Sequence, residues 1–226
     1  MTISTYIPDA DGAAGATSCD GRTRYDTGSA FDWDTAQAAS DGTSADDNTA
    51  NTTCRYQTHT TTNKWNNIFR SYFLFNTSDI PDGDVVSAAT LSVTALDGHS
   101  ADDFSESMTV VLTSPASNTA IVVGDWSEVG SVHQSNDIAV TGMANDGETP
   151  TVFTLTSVGR GNISLDGISK FGVGLVADVD DNEPTWSSDD YVQVNWASSD
   201  TDLAGDQRPL LTVTHAVGFT PKAIMF

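Results

Sequence analysis

Basic residues are scarce in this chain: 9 Lys and Arg stand against 31 Asp and Glu, for a formal net charge of −22. No stretch gathers lysines or arginines. A surface of this sign repels phosphate backbones and leaves counterion release nothing to act on, which excludes nucleic-acid binding. Attachment to anionic membranes is excluded for the same reason. No apolar run approaches the roughly 20 residues of a membrane span. The opening Met-Thr-Ile-Ser-Thr-Tyr has neither the basic nor the apolar region of a signal peptide. Catalytic motifs are missing as well: there is no Gly-x-Ser-x-Gly elbow, phosphate loop, His-Glu-x-x-His or Cys-x-x-Cys. His59, His99, His133 and His215 are scattered without metal-ligand spacing. The expectation is a protein that is not an enzyme. Helical periodicity is nearly absent, and only residues 157–166 could hold a turn or two.

What is present is strand periodicity. Residues 54–61, 66–75, 85–96, 108–112, 121–123, 138–140, 152–155, 171–177, 191–196 and 210–214 read as strands, after a short first one over 4–7. Between them lie clusters of Gly, Asp, Asn and Ser. In 191–196, Val192, Val194 and Trp196 face one way and Tyr191, Gln193 and Asn195 the other. The run Phe-Gly-Val-Gly-Leu-Val-Ala over 171–177 is apolar throughout, as in a strand covered on both faces. A chain of 226 residues is large enough for one such domain with a substantial core. The predicted fold is an all-β, jelly-roll-type antiparallel β-sandwich over 1–217, with a loop-rich insertion at 9–53 and an apolar tail at 218–226.

Several residues carry candidate chemistry. Asp178, Asp180 and Asp181 follow a strand, and Asp9 and Asp11 lie near the start; hard oxygen donors in turns suit Ca²⁺. A solvated acidic turn is the alternative at both places. Trp33 and Trp186 sit in acidic loops without a core register, which makes them the candidates for stacking on a sugar; an anchor that pins its own loop is the alternative for each. Cys19 and Cys54 bracket the insertion, and either a disulfide or two buried thiols fits. Arg70 opens an apolar strand in an acidic protein and is expected to pair with a carboxylate. In the tail, Phe219, Ile224, Met225 and Phe226 would each contribute roughly 1.5–3 kcal/mol if buried. They dock on the chain's own body or on a neighbouring subunit.

The stretch RSYFLFNTSDIPDGDVVSAATLSV over 70–93 is a strand, a Pro-Asp-Gly turn and a second strand. It resembles the DNRLRE-type (disaggregatase-related) β-sandwich domains. There an Arg-led aromatic strand runs into an Ile-Pro-x-Gly turn and a Ser-Ala-x-Leu strand. Phe-Thr-Leu-Thr at 153–156, Gly-Ile-Ser-Lys-Phe-Gly-Val-Gly-Leu at 167–175 and Arg-Pro-Leu-Leu-Thr-Val-Thr at 208–214 follow the same order. His215 stands where that family has tyrosine. The resemblance implies a carbohydrate-binding-like fold found in secreted and in virion-associated proteins. With the acidic surface, the absent leader and the apolar tail, it sets the functional expectation. This is a non-enzymatic surface component of an extracellular assembly, a phage-like virion decoration or tail-associated protein with glycan adhesion. Its partners would be other copies of itself, a particle protein or glycans. The alternative is a free, secreted carbohydrate-binding module with a Ca²⁺-stabilised fold.

Overall fold

The computed structural model describes residues 1–201 and 207–218. In chain order the strands are β1 (Thr2–Tyr6), β2 (Asp20–Tyr25), β3 (Ser44–Asp46), β4 (Asn51–Thr58), β5 (Trp65–Asn76) and β6 (Asp84–Asp102). They continue with β7 (Ser107–Thr113), β8 (Val129–His133), β9 (Ile138–Ala139), β10 (Pro150–Thr154), β11 (Ile168–Leu175), β12 (Tyr191–Ala197) and β13 (Leu210–Val217). Three one-turn helices punctuate them: α1 (Trp33–Gln37), α2 (Ser157–Gly161) and α3 (Val176–Val179). Every strand pairing is antiparallel.

The strands form a β-sandwich. The first sheet runs β1-β13-β6-β10 and the second β6-β12-β4-β5-β11-β7-β8, with β2 and β3 on the other edge of β5. At 19 residues, β6 belongs to both: its first half pairs with β13 and β10, its second with β12. It turns the corner where the β12 register jumps between Val194 and Trp196. Such a bulge is the usual device for passing a strand between sheets.

Strand alternation decides the core. Leu91 and Val93 of β6, Leu211 and Val213 of β13 and Phe153 of β10 face inward at 0% exposure. They meet Tyr56, Ile68, Phe171, Val192, Val194 and Trp196 from the second sheet in one cluster. On β5, Phe73 and Phe75 join this core, while the intervening Tyr72 and Leu74 form a smaller cluster with Cys19 and Ile121 on the opposite face. That second cover explains why β5 and β11 read as nearly continuous apolar runs.

Two expectations need correction. The 9–53 stretch is not simply a loop, because its β2 hydrogen-bonds along β5 from Asp20 opposite Phe73 to Tyr25 opposite Ile68. Residues 121–123 are not a strand: Val122 and Val123 are exposed, and Asp125 folds the segment into a 3-10 turn over Val123–Ser127. The Asp125 carboxylate accepts the backbone N–H of Val122 at 2.8 Å and of Ala116 at 3.1 Å. A buried carboxylate that satisfies two amides outweighs the β-propensity of a short valine pair.

Arg70 does pair with a carboxylate. Its Nε and Nη2 donate to the two oxygens of Asp178 at 2.9 and 2.8 Å. Nη1 reaches the Trp126 carbonyl at 2.8 Å, Nη2 also reaches Gln37 Oε1 at 2.7 Å, and the guanidinium lies 4.0 Å from the Trp126 ring centroid. This buried clasp joins β5, α1, α3 and the 3-10 turn.

Candidate functional site

At one end of the sandwich, the loop between α3 and β12 separates two open cavities of about 400 and 410 Å³ that share Pro184. One is lined by Tyr56, Phe104, Glu106 and Asp190 among others, the second by Trp186, Glu183, Asp32 and Asp34. The floor is an aromatic cluster. Trp33 and Trp65 have ring centroids 4.7 Å apart, and each packs edge-on to Tyr56 at 5.6 and 5.5 Å. These rings turn their polar atoms up towards the loop. Tyr56 donates its O–H to Glu106 at 2.6 Å, Trp65 its indole N–H to Glu183 at 2.8 Å, and Trp33 its own to Asp181 at 3.1 Å. Burial and the bond to Glu106 push the Tyr56 phenol far above its ordinary range.

The backbone is also unusual here. Among the described residues, the non-glycine positions with left-handed φ are Asn63, Ser105, Asp181 and Asp189, at 54°, 58°, 50° and 65°. Asn63 and Ser105 line the cavities, and Asp181 and Asp189 adjoin residues that do. Such residues persist only where the surroundings hold them, and they concentrate at binding sites.

The sequence-based candidates fare differently. Trp186 is half-buried on the cavity wall, with its indole N–H on the His59 carbonyl at 3.1 Å, so its ring is fixed. Trp33 is 1% exposed and belongs to the floor; it cannot stack on a ligand. An Asp-rich neighbourhood suggested a surface residue, but its ring is buried against Tyr56 and Trp65 and its indole N–H is taken by the distant Asp181.

The five candidate metal-ligating carboxylates are dispersed. Asp178 is taken by Arg70 and Gln37, Asp180 meets His133 Nε2 at 3.0 Å, and Asp181 accepts from Trp33. Asp9 accepts from the backbone and hydroxyls of Thr17 and Ser18. Burial raises its pKa, but these bonds prevail and hold it below the ordinary carboxylate range. An oxygen of Asp200 accepts the Asp11 backbone N–H at 2.6 Å. Among the described residues, no three His, Cys, Asp or Glu converge on a point.

Cys19 and Cys54 are free thiols rather than a disulfide. They lie in the two separate clusters, on opposite faces of the second sheet. Cys54 contacts the Val173 carbonyl at 2.7 Å. Burial pushes their pKa values up to about 12 and about 11. Phe219, Ile224, Met225 and Phe226 lie outside the described residues.

A second surface stands out through what it lacks. The outward positions of β1, β13 and β10, and of β6 over residues 85–94, carry no charged side chain. Thr5, Thr212, Thr90 and Thr154 stand in register, one from each strand. Beside them Ile3 and Val152 are 69% and 47% exposed. Sequence alternation contains this pattern, but only the pairing shows that the four strands share one face.

No known protein-family model matches the chain, and no curated protein is similar to it in sequence.

Proposed function

We propose that this protein is a structural surface component of an extracellular assembly, a phage-like virion decoration or tail-associated protein, and that copies meet through the outer face of the first sheet. The observation that carries this reading is the uncharged face on a chain of net charge −22. Two copies repel one another wherever their acidic surfaces approach, so contact is least costly where charge is absent. Four strands about 4.8 Å apart, paired over five to eight residues, offer about 400 Å² per copy. A pair therefore buries about 800 Å², less than a standard stable interface. Such contacts are weak singly and hold through repetition in an array. The chain reaches Gly218 at the end of this sheet, where its N–H meets the Gly83 carbonyl at 2.9 Å. The resemblance to DNRLRE-type sandwiches fits this reading. Self-association tests it: Thr212→Glu places a charge mid-face and is expected to abolish association while leaving the fold intact.

Glycan adhesion is the second reading, supported by the fixed, half-buried Trp186 among carboxylates. Those carboxylates accept hydrogen bonds from sugar hydroxyls and disfavour anionic sugars, so the ligand class is a neutral or amino glycan. Trp186→Ala is expected to weaken binding to the best glycan of an array by about tenfold, in line with a lost aromatic contact. Equal binding by both proteins would remove this groove from the account.

A further inference from the structure

The first and last strands bring together three residues that no sequence motif connects. Ser4 Oγ on β1 lies 3.0 Å from Nε2 of His215 on β13, and His215 Nδ1 lies 2.7 Å from Oδ2 of Asp84, the first residue of β6. The His215 and Asp84 side chains are only 5% and 7% exposed, whereas Ser4 is half-buried on the edge strand. A carboxylate only accepts, so Nδ1 of the neutral ring carries the proton towards Asp84 and Nε2 presents its lone pair to the serine hydroxyl. Nucleophile, base and orienting acid are recognised by this geometry and not by their order in the chain.

We propose that Ser4 is an activated nucleophile for acyl transfer from small esters. This goes beyond the assembly role and does not depend on it. Ser4 Oγ attacks the ester carbonyl carbon while its proton passes to His215 Nε2. The carbonyl–alkoxide bond then breaks, and the imidazolium returns the proton to the departing alcohol. Water, deprotonated by the same nitrogen, attacks the acyl-serine, releases the carboxylic acid and restores the hydroxyl. No oxidant, reductant or cofactor is needed.

Two features serve this chemistry. Among the described residues β1 pairs only with β13, which leaves every second backbone N–H of β1 without a sheet partner there, available to a developing oxyanion. Two residues from Ser4, Tyr6 lines an open cavity of about 410 Å³ together with Asp79, Asp9 and Asn76. Tyr6 donates its O–H to Asp79 at 2.7 Å. The acids in the cavity wall select a neutral or cationic ester over an anionic one.

The test treats the full chain with a fluorophosphonate probe and locates the adduct by peptide mass mapping, with p-nitrophenyl acetate as a turnover substrate. One adduct is expected, on Ser4, and none in Ser4→Ala. Labelling should slow at least 100-fold in His215→Gln and Asp84→Asn, and in the wild type it should rise with pH, as general-base activation requires. A purely structural hydrogen bond would not give that pH profile. An unlabelled Ser4 in the folded wild type, or a labelling rate independent of pH, overturns the proposal. The wild-type result decides even where a variant fails to fold.

Discussion

Replacing Arg70 with methionine is expected to lower the unfolding free energy by about 3–5 kcal/mol, because it strands Asp178 as a buried, unpaired charge. Methionine keeps much of the side-chain volume and its contact with the Trp126 ring, so the loss isolates the ionic part of the clasp. For a chain of this size that corresponds to a fall in Tm of about 6–20 °C. The double variant Arg70→Met, Asp178→Asn removes the orphaned charge and is expected to recover at least half of the loss. Urea unfolding of the three proteins measures it. Equal destabilisation in single and double variants would mean that the four elements are held by packing and not by the clasp.

Asp20 should give the chain an inverted pH dependence. Its side chain is buried, with the backbone N–H of Ser199 at 2.7 Å, and desolvation raises its pKa to about 7 against the opposing hydrogen bonding from Ser199. The acidic Asp200 and Asp47 push it the same way. Unfolded, the same group titrates near 3.8. Between those values the native state holds a proton that the unfolded state has lost, so stability falls as pH rises through the window and levels off above it. A shift of this size corresponds to roughly 4 kcal/mol. Asp20→Asn cannot titrate yet still accepts the Ser199 amide. It should be more stable than wild type at pH 8 by that order and nearly equal at pH 4. Unfolding free energies measured from pH 4 to 8 test this; parallel curves for the two proteins would contradict it.

How much of this was legible in the sequence depends on how local each signal is. The turn at Pro81-Asp82-Gly83 between β5 and β6 and the alternation of Val192, Val194 and Trp196 are written by neighbours in the chain, and both stand in the structure, although β5 and β6 pair with other strands and not with each other. The strand β2 was not legible: Asp-Gly-Arg-Thr-Arg-Tyr has no apolar alternation. Its Thr23 is buried by β5, while Arg22 and Arg24 flank the Phe69 ring at 5.9 and 5.2 Å. Trp33 was misplaced for the same reason, since its burial comes from β4 and β5 and not from its acidic neighbours. Trp186 was legible as a residue outside the core, and its loop leaves it half-exposed. The contact of Ser4, His215 and Asp84 was not legible, because a separation of 211 residues between Ser4 and His215 leaves no spacing to read. The uncharged face shares that difficulty: each strand shows a few threonines, and only the register assembles them.

The central claim is that copies of this chain meet through the outer face of the first sheet, and sedimentation velocity at rising protein concentration tests it most directly. Runs in 0.05 and 0.5 M NaCl would compare wild type with Thr212→Glu. At the lower salt the screening length is more than 10 Å and the acidic shells hold copies apart; at the higher it shrinks to a few ångströms. The account predicts that the wild type associates reversibly with concentration, and more strongly at the higher salt, while Thr212→Glu stays monomeric with an unchanged Tm. A wild type that remains monomeric in both salts, or a Thr212→Glu protein that associates as the wild type does, would contradict it.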